Sequence, residues 1–227
     1  MSIEGVSLKK GEIAFLWFNP YSGVTIKTST KTLVFDPAEI DTELFTEVDA
    51  VLVTHEHHDH LSVPIVREIQ KKNNCLVIAD STSARSLRAA IPPEKLEEAY
   101  LGSEHKIGNV RVKSEGFNHP AATPASYFIT TEDNIKIYYT GDSLPFPDMK
   151  QIGDKNPPDL VFCTVGAPAP GASPETGVEI VKLVKPKAAV PYHAPLADMK
   201  RFCELLSKEA PKVRCTLIER GRAYKYP

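Results

Sequence analysis

Val51-Leu52-Val53-Thr54-His55-Glu56-His57-His58-Asp59-His60 is the stretch on which the reading of this chain turns. Its apolar opening, with two β-branched valines, reads as a short buried strand. The residues after that strand are unusual, because four of the chain's seven histidines fall within six positions. His55, His57, Asp59 and His60 form an H-x-H-x-D-H pattern whose imidazoles and carboxylate suit zinc and similar divalent ions. In an extended loop His55 and His57 project to the same side and can share one ion, while Asp59 and His60, around the turn, reach a second. The bland alternative is a solvated polar loop, but such loops are built from Gly, Ser and Asn rather than from histidines stacked behind an apolar strand.

On the C-terminal side of the cluster, Ser62 reads as the N-cap of a helix running to about Asn73, so the histidines sit on a strand-to-helix loop. Upstream, residues 13–18, 24–28 and 32–35 predict three short strands, separated by turn signals at Asn19-Pro20 and at 29–31. Downstream, a strand over 76–79 and a helix capped near Ser81 continue a β-α alternation. Strands are then expected over 110–113, 126–130 and 135–139, with a polar turn at Glu132-Asp133-Asn134. Ser173-Pro174-Glu175 is a helix start, with a capping Ser and Pro at the first helical position. A strand over 188–190, a helix over 198–208 and a strand over 213–218 complete two similar halves. The expectation is an α/β chain forming one domain over residues 1–227, two sheets packed together with helices outside.

Composition narrows the class. Across 227 residues, a hydrophobic fraction of 42%, a charged fraction of 25% and a formal net charge of -2 describe an ordinary globular chain without the basic excess that nucleic acid binding needs. Residues 1–10 lack the apolar run of a signal peptide, and no segment approaches the roughly 20 apolar residues that span a bilayer, so no membrane role and a cytoplasmic location are expected. Cys75, Cys163, Cys203 and Cys215 form no CxxC pair, which argues against a thiolate zinc site and against a disulfide framework, and predicts buried small apolar residues. Of the 19 prolines, several cluster in 157–158 and 168–171, where they should stiffen loops. Neither a GxSxG elbow nor a phosphate-binding loop is present.

Thr54 to His60 resembles the first metal motif of the metallo-β-lactamase superfamily, T-H-x-H-x-D-H at the end of a strand. The resemblance extends over nearly the whole chain and implies a four-layer αββα sandwich. It further implies that His119, in Gly116-Phe117-Asn118-His119-Pro120, joins His55 and His57 on the first ion. Asp142, in Thr140-Gly141-Asp142-Ser143, would bridge the ions, and His193, in Pro191-Tyr192-His193, would join Asp59 and His60 on the second. Asp36, closing the strand Leu33-Val34-Phe35, matches an acidic residue beneath the site that would orient a ligand imidazole. His58, and His105 in the expected polar turn Gly102-Ser103-Glu104-His105, have no place in the pattern.

The nearest likeness within the superfamily is to compact metal-dependent hydrolases related to ascorbate-6-phosphate lactonase. It rests on residues 135–142, the helix from Pro174, and 184–187 leading to His193. Two segments depart from that group: Asn19-Pro20-Tyr21-Ser22 stands where a G-H-S-like segment is usual, and Gly166-Ala167-Pro168-Ala169-Pro170 also differs. Both are expected near the site. The implied cofactor is two divalent ions, zinc first, with manganese, iron or nickel accepted by the same donors. The ions would share and activate a water, with Asp59 orienting it and taking its proton. A small-molecule ester or lactone is the expected substrate. A phosphodiester of a small nucleotide or phospholipid-like molecule is the alternative, and a non-catalytic metal-binding protein the second. The short span between Asp142 and His193 leaves no room for a nuclease domain, and His57 speaks against a diiron redox role. Self-association into a homo-oligomer stays open, because interface composition overlaps ordinary surface.

Overall fold

A computed structural model describes residues 3–227 of the chain; Met1 and Ser2, part of the expected single domain and of the N-terminus expected to lack a signal peptide, lie outside the described residues. Strands β1 (Ile13–Trp17), β2 (Val24–Lys27) and β3 (Thr32–Phe35) form the predicted antiparallel meander. From β3 the sheet continues in parallel through β4 (Ala50–Val53), β5 (Leu76–Asp80) and β6 (Leu96–Ala99). Helices α1 (Val63–Asn73) and α2 (Ser81–Leu87) make the crossovers. The second sheet takes β7 (Glu104–Ile107), β8 (Val110–Glu115), β9 (Ser126–Thr130) and β10 (Lys136–Tyr139) antiparallel, then β11 (Leu160–Thr164), β12 (Ala188–Tyr192) and β13 (Arg214–Cys215) parallel. Three helices, α3 (Met149–Lys155), α4 (Pro174–Val184) and α5 (Leu196–Glu209), accompany it. Strand β14 (Ala223–Tyr226) returns to the first sheet beside β1, giving seven strands in each sheet among the described residues.

Layering follows from the two-residue period of the strands. In β4, Ala50 and Leu52 face the core between the sheets, whereas Val51 and Val53 join the core beneath α1 and α2 with Val66, Ile69, Ala84 and Leu87. A strand buried on both faces must be apolar throughout, which is why the residues before the histidine cluster are so uniformly hydrophobic. On the other side α4, held by a capping box between Ser173 and Thr176, lays Val178, Ile180, Val181 and Val184 on the core shared with the second sheet. Helix, sheet, sheet and helix are therefore stacked, as the αββα expectation requires.

Several local expectations are corrected. Strands β6, β7 and β11 and helix α3 were not anticipated: Glu97 and Glu98 in β6 face solvent at a sheet edge, and such a strand carries no apolar run to read, whereas β11 is a fully buried apolar run that the sequence did display. Residues 102–105, expected as a polar turn, divide into a turn and the start of β7, where His105 is buried. The strand expected over 213–218 is two residues long, and β14 takes the sheet position beside β1 instead. Ser62 occupies the N-cap position of α1 but its side chain makes no capping bond. The cysteine expectation holds for Cys75 and Cys163, which are buried and free. It fails for Cys203 and Cys215, which form a disulfide between α5 and β13. Their separation of 12 residues matches no motif, and only the packing of α5 against β13 brings their Cα atoms within 5.5 Å.

The chain direction of the strands gathers the site. The parallel strands of both sheets end at one edge, as do the β1–β2 and β8–β9 turns, since Val24 pairs with Phe35 and Tyr127 with Tyr139. Loops following parallel strands at their carboxyl ends are where such folds place ligands.

Candidate metal centre

Strand β4 delivers Thr54 and His55, both fully buried. The chain then turns through His57, whose carbonyl accepts hydrogen bonds from His60 N (2.9 Å) and Leu61 N (2.8 Å), so that Asp59 and His60 swing to the opposite side of the loop from His57. His119 comes from the β8–β9 loop, which is pinned where Ala125 N donates to Thr54 O (2.9 Å) and Ala122 N to Glu56 Oε1 (2.8 Å). Asp142 follows β10 through Gly141, and His193 follows β12. Gly141 has φ +55°, and a Cβ there would lie 2.9 Å from the Phe117 ring and 3.1 Å from Thr54 Cγ2. Asp36 (φ +46°) and His193 (φ +50°) adopt the same left-handed conformation without being glycine. Backbone strain of this kind concentrates at sites where geometry is imposed by function.

The donors fall into two groups, His55-His57-His119 and Asp59-His60-Asp142-His193, each within 4.8 Å atom to atom. In the first, His57 Nδ1 faces His55 Nε2 at 3.1 Å and His119 Nε2 at 3.2 Å. Nitrogens bound tetrahedrally at zinc distances are separated by about 3.3 Å, so three imidazole nitrogens already stand near the required spacing. In the second, Asp59 Oδ2 lies 3.7 Å from both His60 Nε2 and His193 Nε2, and Asp142 Oδ2 lies 3.2 Å from His60 Nε2. Those two Nε2 atoms are buried and make no hydrogen bond. Buried imidazole nitrogens left without a partner while facing carboxylates are what a divalent cation would satisfy. On this test the residues present fit two cations.

Three of the five rings, those of His55, His60 and His193, are oriented from behind. Asp36, itself fully buried, accepts from His60 Nδ1 (2.9 Å), Thr54 Oγ1 (2.9 Å), Thr54 N (2.8 Å) and the Tyr139 hydroxyl (3.1 Å). Thr54 Oγ1 also meets His55 Nδ1 at 2.9 Å. His193 Nδ1 lies between Ser22 Oγ (2.7 Å) and Asp142 Oδ1 (2.8 Å), and Thr164 Oγ1 donates to Asp142 Oδ1 (3.3 Å). Such outer partners fix which ring nitrogen faces a metal.

Electrostatics divides the histidines. Burial, and after it the charge on His60, push the His55 imidazole far below its usual pKa; burial does the same to His119. Both are then neutral at pH 7, the form that coordinates a metal. For His60 burial opposes the charge, but the carboxylates of Asp142 and Asp36 outweigh it and hold the imidazole well above its ordinary value. Asp142 is the counterpart: burial resists its ionisation, and His60 and His193 override that, holding it well below the usual carboxylate range. The Asp142 charge also acts on His55 and His119, favouring a proton there against the burial that removes it.

All seven residues expected as ligands are thus brought to one place, with Asp36 behind His60. His58 is outside, its side chain 86% exposed. His105 is elsewhere, buried between Glu97 (2.5 Å) and Ser103 (3.0 Å). Sequence reasoning missed Ser22, Thr54, Tyr139 and Glu56 as supports. Ser22 lay in a segment already noted as near the site and Thr54 opens the quoted motif, but Tyr139 and Glu56 carry no pattern of their own.

Comparisons with known proteins agree with this geometry. The family described as a beta-lactamase superfamily domain matches residues 16–194. A UPF0173 metal-dependent hydrolase of Bacillus cereus is 31% identical over 195 residues, covering 78% of this chain and 83% of its own. Among solved structures, Igni18, a metallo hydrolase from the archaeon Ignicoccus hospitalis, superposes with a TM-score of 0.81 at 18% identity, covering 95% of this chain and 99% of its own. A putative metal-dependent hydrolase from Parabacteroides distasonis gives 0.75 at 21% identity, covering 89% and 91%. The two structural likenesses speak to the fold.

Proposed function

This chain belongs to the metallo-β-lactamase superfamily, among its UPF0173 metal-dependent hydrolases, and from that premise we propose that it hydrolyses a small-molecule ester or lactone with two divalent cations, zinc first among them. The observation that carries the reading is the pair of donor groups at one strand edge, with the His60 and His193 Nε2 atoms buried without partners. His55, His57 and His119 would hold one cation, and Asp59, His60 and His193 the other, with Asp142 shared. Nitrogen and carboxylate donors in these numbers suit zinc, and they accept manganese, iron or nickel.

When bound, such cations supply Lewis acidity at the scissile carbonyl and lower the pKa of the attacking water. The chain's own residues do the rest. Asp59, 11% exposed at its side chain on the turn after His58, orients the water and accepts its proton. Asp36 and Thr54 hold the His60 and His55 rings, and Ser22 holds His193, so the site needs little rearrangement as charge develops. No side-chain nucleophile, and hence no covalent intermediate, is called for. A small-molecule substrate, no nucleic acid or membrane partner and a cytoplasmic location complete the proposal. Among the described residues no helix is long and apolar enough to cross a membrane.

The test is initial rate on a set of esters and lactones and on a model phosphodiester, using protein stripped of metal and reloaded separately with zinc and manganese. Ester or lactone turnover that vanishes on stripping supports the proposal. Turnover of the phosphodiester alone would replace it, and silence on both from fully loaded protein would leave a metal-binding protein without this chemistry.

A further inference from the structure

The rim of the site carries a charge pattern that bears on its substrate. The segments bringing side chains to the strand edge are 18–23, 36–41, 54–62, 116–125, 140–148, 165–173 and 193–199. None contains a lysine or arginine, although the chain has 27 of them. Glu39, Glu56 and Asp198 are the acidic residues in these segments beyond Asp36, Asp41, Asp148 and the candidate ligands. The next basic residues along the chain are accounted for elsewhere: Lys150 pairs with Asp154 (3.0 Å), and Arg67 and Lys200 are exposed on helices. Arg220 and Arg222 flank the turn into β14, which reaches the same strand edge beside β1, where Gly221 N donates to Trp17 O (2.7 Å); β14 is the outermost strand of its sheet, both arginines are exposed, and Arg222 lies over the Tyr224 ring. A substrate bearing a phosphate or carboxylate away from its scissile bond would find no side-chain cation here to neutralise it, and burial beside carboxylates is costly for an unpaired anion.

Tyr21 and Glu39 supply the opposite chemistry. The Tyr21 ring stands edge-on to His193 (6.0 Å between centroids) and to His58 (6.4 Å), which puts it on the wall of the second donor group. Its hydroxyl hydrogen-bonds the Glu39 carboxylate. With the hydroxyl proton donated to Glu39, the Tyr21 oxygen is an acceptor. One buried residue fixes both loops: Asn19 Oδ1 accepts from Tyr21 N (3.1 Å) and Gly23 N (2.7 Å), while Asn19 Nδ2 donates to Ala38 O (2.8 Å), next to Glu39. Trp17 Nε1 donates to Tyr21 O (2.5 Å). Glu39 itself is held at φ +47°, a conformation an unconstrained glutamate avoids.

We propose that the part of the substrate beside the scissile bond is a neutral or cationic group that donates hydrogen bonds to the Tyr21–Glu39 pair, and that this rim rejects an anionic group in the same place. The proposal rests on the hydrolase reading above and specifies its substrate class.

Equilibrium binding separates the two. Two ligands of matched length, 3-aminopropionate (an ammonium at neutral pH) and succinate, each offer one carboxylate to the cations and differ at the far end, where the first carries a cation that donates hydrogen bonds and the second an anion that only accepts them. Calorimetry on the zinc-loaded protein should show the ammonium compound binding about tenfold tighter, a gap that narrows with rising salt, as expected for charges near a surface. The gap should shrink in Glu39→Gln, while Tyr21→Phe checks the wall independently should that variant fold poorly. Equal affinity, tighter succinate, or no binding of either overturns the proposal, and an undiminished gap in Glu39→Gln removes Glu39 from it. Charge discrimination in a protein that turns over no ester, lactone or phosphodiester would instead sink the hydrolase reading and leave the rim assignment standing.

Discussion

Asp36 Oδ2 accepts a 2.9 Å hydrogen bond from His60 Nδ1, and solvent reaches neither side chain. The bond commits the other ring nitrogen, Nε2, to the donor group shared with Asp59, Asp142 and His193. Replacing Asp36 by Asn keeps the volume but puts an amide NH2 where Oδ2 accepts from His60, Thr54 Oγ1 and the Tyr139 hydroxyl, leaving Oδ1 to Thr54 N. Affinity for the cation in that group is expected to fall about 10–100-fold, the usual cost of losing an outer partner of a metal-bound histidine. Competition with a chromophoric chelator measures this, and unchanged affinity would show that the bond orients nothing.

Asp36 was legible from sequence because it closes an apolar strand, and the ligand histidines because they cluster or follow strands. Thr54, Ser22 and Tyr139 were not read as supports, since a threonine, serine or tyrosine contributes there only through an interatomic distance that no spacing encodes. The same limit explains the fold. β4 and α4 carry apolar periodicity or a capping box and were readable, whereas β6, β7 and β14 are strands by virtue of their neighbours. The Cys203–Cys215 disulfide depends on how α5 lies against β13.

The metal-free protein should be most stable near pH 6.5, the ordinary pKa of histidine. Below that value His55 and His119, held neutral by burial, resist the protonation that the unfolded chain accepts, so stability falls with acid. Above it His60, whose pKa is raised in the fold, still holds a proton the unfolded chain has lost, and that contribution disappears as pH rises through its folded pKa. Added zinc competes with that proton, so the thermal shift it produces should grow between pH 6 and 8. A melting series with and without zinc checks both slopes, and a zinc shift that shrinks with pH would contradict the assignment.

Gly141→Ala should destabilise the fold by roughly 1–3 kcal/mol, from a left-handed backbone bearing a Cβ and from its approach to Phe117. Urea unfolding of the metal-free protein gives the number. A neutral result would mean that the Thr140–Asp142 turn is freer than its close contacts suggest.

His57 and His58 are neighbours in sequence and opposites in role. His58→Ala, at an exposed side chain, should leave zinc content and activity within about twofold, as surface changes usually do. His57→Ala removes the nitrogen facing both His55 and His119 and should empty the first group. Elemental analysis of the two purified variants compares them side by side, and equal losses would undo the reading of the motif.

The most direct test of two adjoining cation sites is the number of zinc ions bound per chain, by elemental analysis and calorimetry, in the wild type, His119→Ala and His193→Ala. Two ions in the wild type and one in each variant, retained in different groups, is the predicted result. One ion in the wild type, or no zinc at all in a folded chain, would contradict it.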